Sequence, residues 1–110
     1  MPEKRSEQRY AMAREKALAL YSQGKYGSAI IEFRSAFKTA VDYSLRDKFK
    51  ESAESLYDSL IANARALSER NQLSAAEQRV IEAITLAREY LEVKKQLSAH
   101  ELLVELDETP

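Results

Sequence analysis

The 110-residue sequence contains no cysteine, no tryptophan and a single histidine. The absence of cysteine excludes a disulfide framework, a thiolate zinc site and a cysteine nucleophile. Because one histidine cannot supply most histidine-based metal sites, we expect no metal and no cofactor. No stretch approaches the roughly 18 uninterrupted apolar residues that a membrane helix needs, and the charged first ten residues lack the apolar core of a signal peptide. We therefore expect a cytoplasmic protein that does not insert into membranes.

Turn-forming residues are equally scarce. The two prolines stand at positions 2 and 110, and the two glycines, Gly24 and Gly27, stand three residues apart. A β-protein of this length would need many more turn residues. Apolar residues make up 45% of the chain and charged residues 32%, which is the balance of a globular protein. Since good helix formers dominate, the composition predicts a single all-α domain over residues 1–110.

The spacing of apolar residues divides the chain into helices, because they recur at steps of three and four. Two packed helical hairpins are predicted, over residues 7–44 and 47–97, giving four main helices. Gly24 and Asn71 can supply the left-handed residue that often ends a helix. Ser44 has the spacing of a helix cap, so a turn is expected at residues 44–47, although a continuous second and third helix stays open.

The C-terminal segment, residues 98–110, is predicted to carry a short capping helix over residues 99–106. Ser98 and Glu101 have the spacing of a capping box, as do Ser74 and Glu77 before the fourth helix. The leucines of the segment fall on one helical face, where they can bury against the fourth helix. The alternative is a free linear motif that docks on another protein. The leucines concerned are Leu102, Leu103 and Leu106.

Shifting the chain by 47 residues aligns its two halves, which indicates an internal repeat. Gly24 aligns with Asn71 at the predicted turns. The aligned core positions include Tyr10 with Tyr57, Ala17 with Ala64, Ala29 with Ala76, Ala36 with Ala83 and Ala40 with Ala87. The first half resembles a tetratricopeptide repeat in seven residues: Ala17, Leu20, Gly24, Tyr26, Ala29, Phe33 and Ala36. The chain departs from that family in its 47-residue spacing and in having two units.

This resemblance implies a groove that is lined by the first helix of each hairpin and binds a peptide or a helix. Carried over to this sequence, the groove positions are Arg14, Leu18, Tyr21 and Ser22, then Asp58, Ile61, Arg65 and Ser68. Arg14 and Arg65 could grip an acidic peptide. The segment at residues 24–29 is also similar to microtubule-interacting-and-trafficking domains. The segment at residues 83–97 is similar to the last helix of HEPN domains, which would imply a role with RNA.

Catalytic motifs are missing from the sequence, which has no Gly-rich dinucleotide loop, no P-loop and no nucleophile elbow. HEPN ribonucleases use an arginine followed by a histidine, whereas here Lys94 and Lys95 precede the only histidine, His100. An active HEPN ribonuclease is therefore disfavoured, and we expect no enzyme. The only modest basic patch, Lys4, Arg5, Arg9, Arg14 and Lys16, is interleaved with glutamate, so we expect no nucleic-acid partner.

Charge is divided unevenly along the chain. Residues 1–50 carry 11 basic and 6 acidic side chains, and residues 51–110 carry 6 basic and 12 acidic ones. The two halves can attract each other within one chain or between copies. The sequence thus predicts a non-enzymatic protein–protein interaction adaptor or scaffold, with a self-associating structural protein and a HEPN-like RNA-associated domain as alternatives. The candidate partner-binding residues are Arg14, Leu18, Tyr21, Ile61, Arg65, Leu102, Leu103 and Leu106.

Overall fold

The computed structural model describes the backbone of residues 2–108 and the side chains of residues 5–108, and this part of the chain is helical without a strand. The all-α prediction is therefore confirmed. The chain divides into two compact units, Met1–Ser59 (unit 1) and Leu60–Pro110 (unit 2), and the division falls inside the third helix. The helices are α1 (Pro2–Ser22), α2 (Tyr26–Asp42), α3 (Arg46–Glu69), α4 (Leu73–Tyr90) and α5 (Val93–Asp107).

The first three connections use one and the same helix-ending turn. Each has three residues, and the middle one takes a left-handed conformation: Gly24 (φ 76°), Ser44 (φ 55°) and Asn71 (φ 63°). The next backbone N–H donates back into the final turn of the preceding helix, which satisfies a carbonyl that would otherwise lack a partner. These bonds run from Lys25 to Leu20 (3.0 Å), from Leu45 to Ala40 (2.8 Å) and from Gln72 to Leu67 (2.9 Å).

Both predicted left-handed residues, Gly24 and Asn71, are confirmed by these turns. The expected turn at residues 44–47 also exists, so α2 and α3 are separate helices. Ser44, however, does not cap α3 as predicted, because it is the left-handed residue that ends α2. A sequence motif search for glycine or asparagine overlooks this position, since serine rarely adopts a positive φ.

The two predicted capping boxes do not form. Ser74 lies inside α4 and Ser98 lies inside α5, while the residues before these helices, Gln72 and Glu92, make no side-chain capping bond. The backbone is extended at Leu91 and Glu92, which ends α4 and starts a new helix at once. As a result α5 begins at Val93, six residues before the predicted start, and takes in residues 93–97 that the second hairpin was expected to contain.

In unit 1, α1 packs against α2 over small and aromatic side chains. Alanine at the contact lets two helix backbones approach closely, and the aromatic rings fill the space beside it. One cluster of the core contains Tyr10, Ala36, Ala40 and Leu45, with Ala13 and Phe49 packed against it. The largest fully buried side chains of this unit are Ile30 and Phe33.

In unit 2, α4 packs against α5. Leu102 and Leu106 are buried and Leu103 is half-buried, so the prediction that these leucines face helical apolar surface is confirmed for the first two. Their burial favours the capping helix over the free linear motif. The end of α3 meets α4 through a hydrogen bond from Arg79 Nε to Asn63 Oδ1 of 3.0 Å. Over residues 2–108, no helix is both long enough and apolar enough to cross a membrane.

Replacing each of the two glycines by alanine should have opposite effects on the free energy of unfolding. A Cβ would meet no neighbour at either position, so the difference comes from the backbone conformation. Gly24→Ala should lower the free energy of unfolding by about 1 kcal/mol, because alanine disfavours the positive φ of the turn. Gly27→Ala should raise it by about 0.5 kcal/mol, because this glycine lies in the first turn of α2 with no such requirement. Urea unfolding of the two variants measures both effects, and a loss of stability in Gly27→Ala would contradict the assignment.

Candidate functional site

A surface depression in unit 1 lies between α1 and the first turns of α3. We call it the α1–α3 groove; its volume is about 510 Å³. It is lined by Glu7, Tyr10, Ala11, Arg14, Glu15, Leu18, Asp47, Lys48 and Glu51. From the sequence we expected a ligand surface on the same two helices, the first of each predicted hairpin.

An apolar strip flanked by carboxylates characterises the groove. Ala11 and Leu18 are seven residues apart and therefore lie on one face of α1, two turns from each other. Leu18 is 43% exposed, so its side chain is accessible from the groove. Glu7 and Glu15 on α1 and Asp47 on α3 are exposed at the edges of this strip. The groove therefore offers an apolar contact surrounded by negative charge.

Glu51 holds the two polar side chains at the floor of the groove. Arg14 Nε lies 3.1 Å from Glu51 Oε1, and Tyr10 donates from its hydroxyl to Glu51 Oε2 at 3.3 Å. Arg14 Nε is buried and makes no aligned hydrogen bond, but Nη2 of the same guanidinium donates to Ser55 Oγ at 3.3 Å. Burial, reinforced by the charge of Glu51, raises the pKa of Tyr10 to about 12.

These contacts change the expected role of Arg14. Its guanidinium is only partly exposed and is already paired with a carboxylate of the same chain. Lys48, the other cation of the groove, lies 3.8 Å from Asp47. The carboxylates thus outnumber the cations and extend to its exposed edges. This surface suits a basic ligand better than the acidic peptide that Arg14 suggested from the sequence.

The structure brings Arg14 and Leu18 together in the groove and places Tyr21 one turn further along α1. Tyr21 is half-buried and contacts Tyr26 edge to face, with 5.3 Å between ring centroids. Burial raises the pKa of Tyr21, and the exposed carboxylate of Asp58 adds to the effect. Ser22 donates from its hydroxyl to the Ala19 carbonyl at 2.8 Å, so it belongs to the end of α1.

In unit 2, three other predicted site residues meet: Arg65, Leu102 and Leu106 line a smaller cavity of about 280 Å³. Ser68, Glu69 and Glu105 complete its lining. Because the two leucines are buried against their own chain, they contribute little surface to a partner. Ile61 and Leu103 are half-buried.

Most residues of the groove were not predicted from the sequence: Glu7, Ala11, Glu15, Asp47, Lys48 and Glu51. The repeat aligns α1 with α3 at a spacing of 47 residues, and the expected site was transferred at that spacing. The side chains that touch across these helices are instead 41 residues apart, as Tyr10 and Glu51 and also Arg14 and Ser55 show. Positions that are equivalent in the repeat are therefore not the ones that touch across the groove.

The described side chains also bear on metal and nucleic-acid binding. Among residues 5–108, no group of three or more His, Asp or Glu side chains could hold a metal ion. His100 is exposed on α5. Of the basic patch, Arg9 contacts the Tyr43 hydroxyl at 3.4 Å and Lys16 pairs with Glu32 at 3.4 Å, while the side chain of Lys4 lies outside the described residues. No protein-family model, curated protein or solved structure matches this chain.

The end of α5 brings two carboxyl groups together. A hydrogen bond to Asp107, with desolvation and the charge of Asp107, raises the pKa of Glu77 on α4. An acid whose pKa is raised by folding stabilises the fold while it is protonated. That contribution to stability is lost as the pH rises through the raised pKa of the folded state. Near neutral pH the two carboxylates therefore repel each other where α5 meets α4.

Asp107→Asn should raise the melting temperature near neutral pH, because it removes this repulsion. The gain should shrink as the pH falls through the raised pKa of Glu77, where this carboxylate takes up its proton. Thermal unfolding at several pH values measures the effect. Glu108→Gln is the matched control, since it removes an anion one residue later and changes the helix-end charge similarly. Equal gains in both variants at every pH would contradict a specific Glu77–Asp107 interaction.

Proposed function

We propose that this chain is a non-enzymatic adaptor that binds a short peptide or a helix of a partner protein in the α1–α3 groove. The observation that carries the proposal is the exposed strip of Ala11 and Leu18 inside a depression with acidic edges. An exposed leucine in a concave surface is a candidate anchor point for an apolar side chain. The volume of about 510 Å³ accommodates a few side chains rather than a whole domain.

The charge around the strip selects the chemistry of the bound segment. Glu7, Glu15 and Asp47 stand at the edges with their side chains exposed, and the nearest arginine is paired with Glu51. Complementary charge favours lysine or arginine on either side of the apolar anchor and disfavours an acidic segment. We therefore take the ligand to be a basic, amphipathic segment with one or two apolar anchors.

The internal repeat also supports an adaptor of the tetratricopeptide kind. The left-handed residues Gly24 and Asn71 are 47 residues apart, as are the starts of α2 and α4. Positions that align at this spacing are buried in both halves: Tyr10 and Tyr57, Ala17 and Ala64, Ala29 and Ala76, Phe33 and Val80, Ala36 and Ala83, and Ala40 and Ala87. Kinship with that family, with α1–α2 and α3–α4 as two packed hairpins, is part of the same proposal.

The HEPN-like alternative has less support in the described residues. His100 is exposed in the middle of α5, and the basic residues before it, Lys94 and Lys95, begin the same helix. Nothing in residues 5–108 adds an arginine in the spacing that the family's ribonucleases use. A role with RNA stays a prediction, and RNA cleavage lost in His100→Ala would revive it.

A peptide-display experiment tests the proposed groove. A library of random 15-residue segments is selected on the immobilised full chain, and the recovered sequences are compared with those selected on Leu18→Asp. We expect wild type to enrich segments in which lysine or arginine flanks an apolar residue. Leu18→Asp should lose this enrichment, because it places a charge on the apolar strip. Binding of one recovered peptide, measured by fluorescence anisotropy, should weaken by about tenfold or more in the variant.

Ile31→Asp is the matched control, because Ile31 is an exposed apolar residue at 63% but lies on α2 outside the groove. It should bind the recovered peptide as wild type does. Glu15→Lys should weaken a basic peptide and leave the fold intact, since Glu15 is exposed. If wild type and Leu18→Asp enrich the same segments, the groove is not the binding surface.

A further inference from the structure

The outer face of α5 carries an exposed apolar stripe that packing within the chain does not use. Val93, Leu97 and Val104 are 69%, 57% and 55% exposed, and the exposed His100 lies between the last two. Their steps of four, three and four residues place all four side chains within about 60° of the helix circumference. The buried face of the same helix, Ala99, Leu102 and Leu106, points the other way. Helix α5 is therefore apolar on two sides.

We infer that this stripe is a two-fold interface, in which α5 packs antiparallel against α5 of a second copy of the chain. Steps of four and three are the repeat of a helix that packs along its length against another helix. A stripe on one helix meets the same stripe of a second copy when the two are related by a two-fold axis. This inference concerns α5 alone and does not depend on the proposed groove.

Charges beside the stripe support a second copy as the occupant. Lys94 and Glu101 are seven residues apart, so they stand on the same flank of the stripe. Both are exposed, and within residues 5–108 neither forms an ion pair. Glu108, a further seven residues on, is also exposed on this flank, so the cation lies toward one end and the carboxylates toward the other. Such a helix is complementary to its own reversed copy.

The antiparallel orientation follows from these charges. If the two-fold axis passes midway along the stripe, Leu97 of one copy faces His100 of the other. Lys94 then lies within about 3 Å, along the helix axis, of Glu101 of the second copy. Two such pairs form, one on each side of the axis. In a parallel pair the same residues would be separated by about 10 Å along the axis, so they could not pair.

Because His100 lies at the centre of the stripe, the association is weak and has a single register. A polar side chain at a seam position fixes the register of paired helices and lowers their stability. The stripe has four side chains, which is short compared with the interfaces of permanent dimers. The inferred dimer is therefore reversible and depends on protein concentration.

Sedimentation equilibrium of the full chain tests the interface, over concentrations from about 10 μM to about 1 mM, where weak interfaces associate. Wild type should approach a dimer, and Leu97→Glu should weaken its formation by about tenfold or more. His100→Leu should tighten it by about tenfold, because it extends the apolar seam. Ile31→Glu is the control for adding a carboxylate at an exposed apolar residue elsewhere and should associate as wild type does.

Charge reversal tests the orientation. Lys94→Glu and Glu101→Lys should each weaken the dimer by about fivefold, and the double variant should restore it, because the pairs re-form with opposite sign. A wild-type chain that stays monomeric over the whole range overturns the interface, and the stripe is then free for a helix of another protein. A double variant as weak as the single ones overturns the antiparallel arrangement.

Discussion

The three-residue reversal with a left-handed central residue is the constraint on which the first four helices depend. At Gly24, Ser44 and Asn71 the chain leaves a helix, returns one backbone hydrogen bond to its last turn and enters the next helix within three residues. Because the connection is so short, the following helix must run back close to the preceding one and pack beside it. The repeat spacing of 47 residues is the length between the first and third of these reversals.

Helices joined so tightly must approach closely, and the composition of the core meets this need. Each of the five helices has a buried alanine: Ala17 in α1, Ala36 in α2, Ala53 in α3, Ala83 in α4 and Ala99 in α5. A small side chain allows close approach, but it buries little apolar area per residue. Larger side chains supply the rest of the buried volume, and those that are fully buried include Phe33, Ile30, Leu60 and Val80. Truncating any one of these four to alanine would leave a cavity and lower the stability of the fold.

Helical periodicity and turn chemistry made most of the fold predictable. The all-α class, the left-handed residues Gly24 and Asn71 and the buried leucines of the tail follow from local rules that tertiary contacts reinforce. The prediction of caps at Ser74 and Ser98 was wrong, because the spacing of a capping box also occurs inside helices. The start of α5 was missed for a related reason: the break at Leu91 and Glu92 has neither glycine nor proline. In these places backbone geometry and packing outweigh a weak sequence signal.

The groove shows that the net charge of a stretch of sequence does not predict the charge of the surface that it forms. Residues 1–50 carry an excess of basic side chains, yet the α1–α3 groove within unit 1 is rich in carboxylates. Glu51 brings this about, because it pairs with the arginine from which an acidic ligand was expected and leaves Glu7, Glu15 and Asp47 at the edges. Helix α5, in the acidic half of the chain, likewise presents an apolar stripe with a lysine near one end of its flank and carboxylates toward the other. The charge of a binding surface depends on which side chains the helices bring together. The net charge of each half of the sequence does not predict it. A basic segment for the groove and a second copy for α5 are therefore compatible inferences, because each surface selects by its own local pattern of apolar and charged groups.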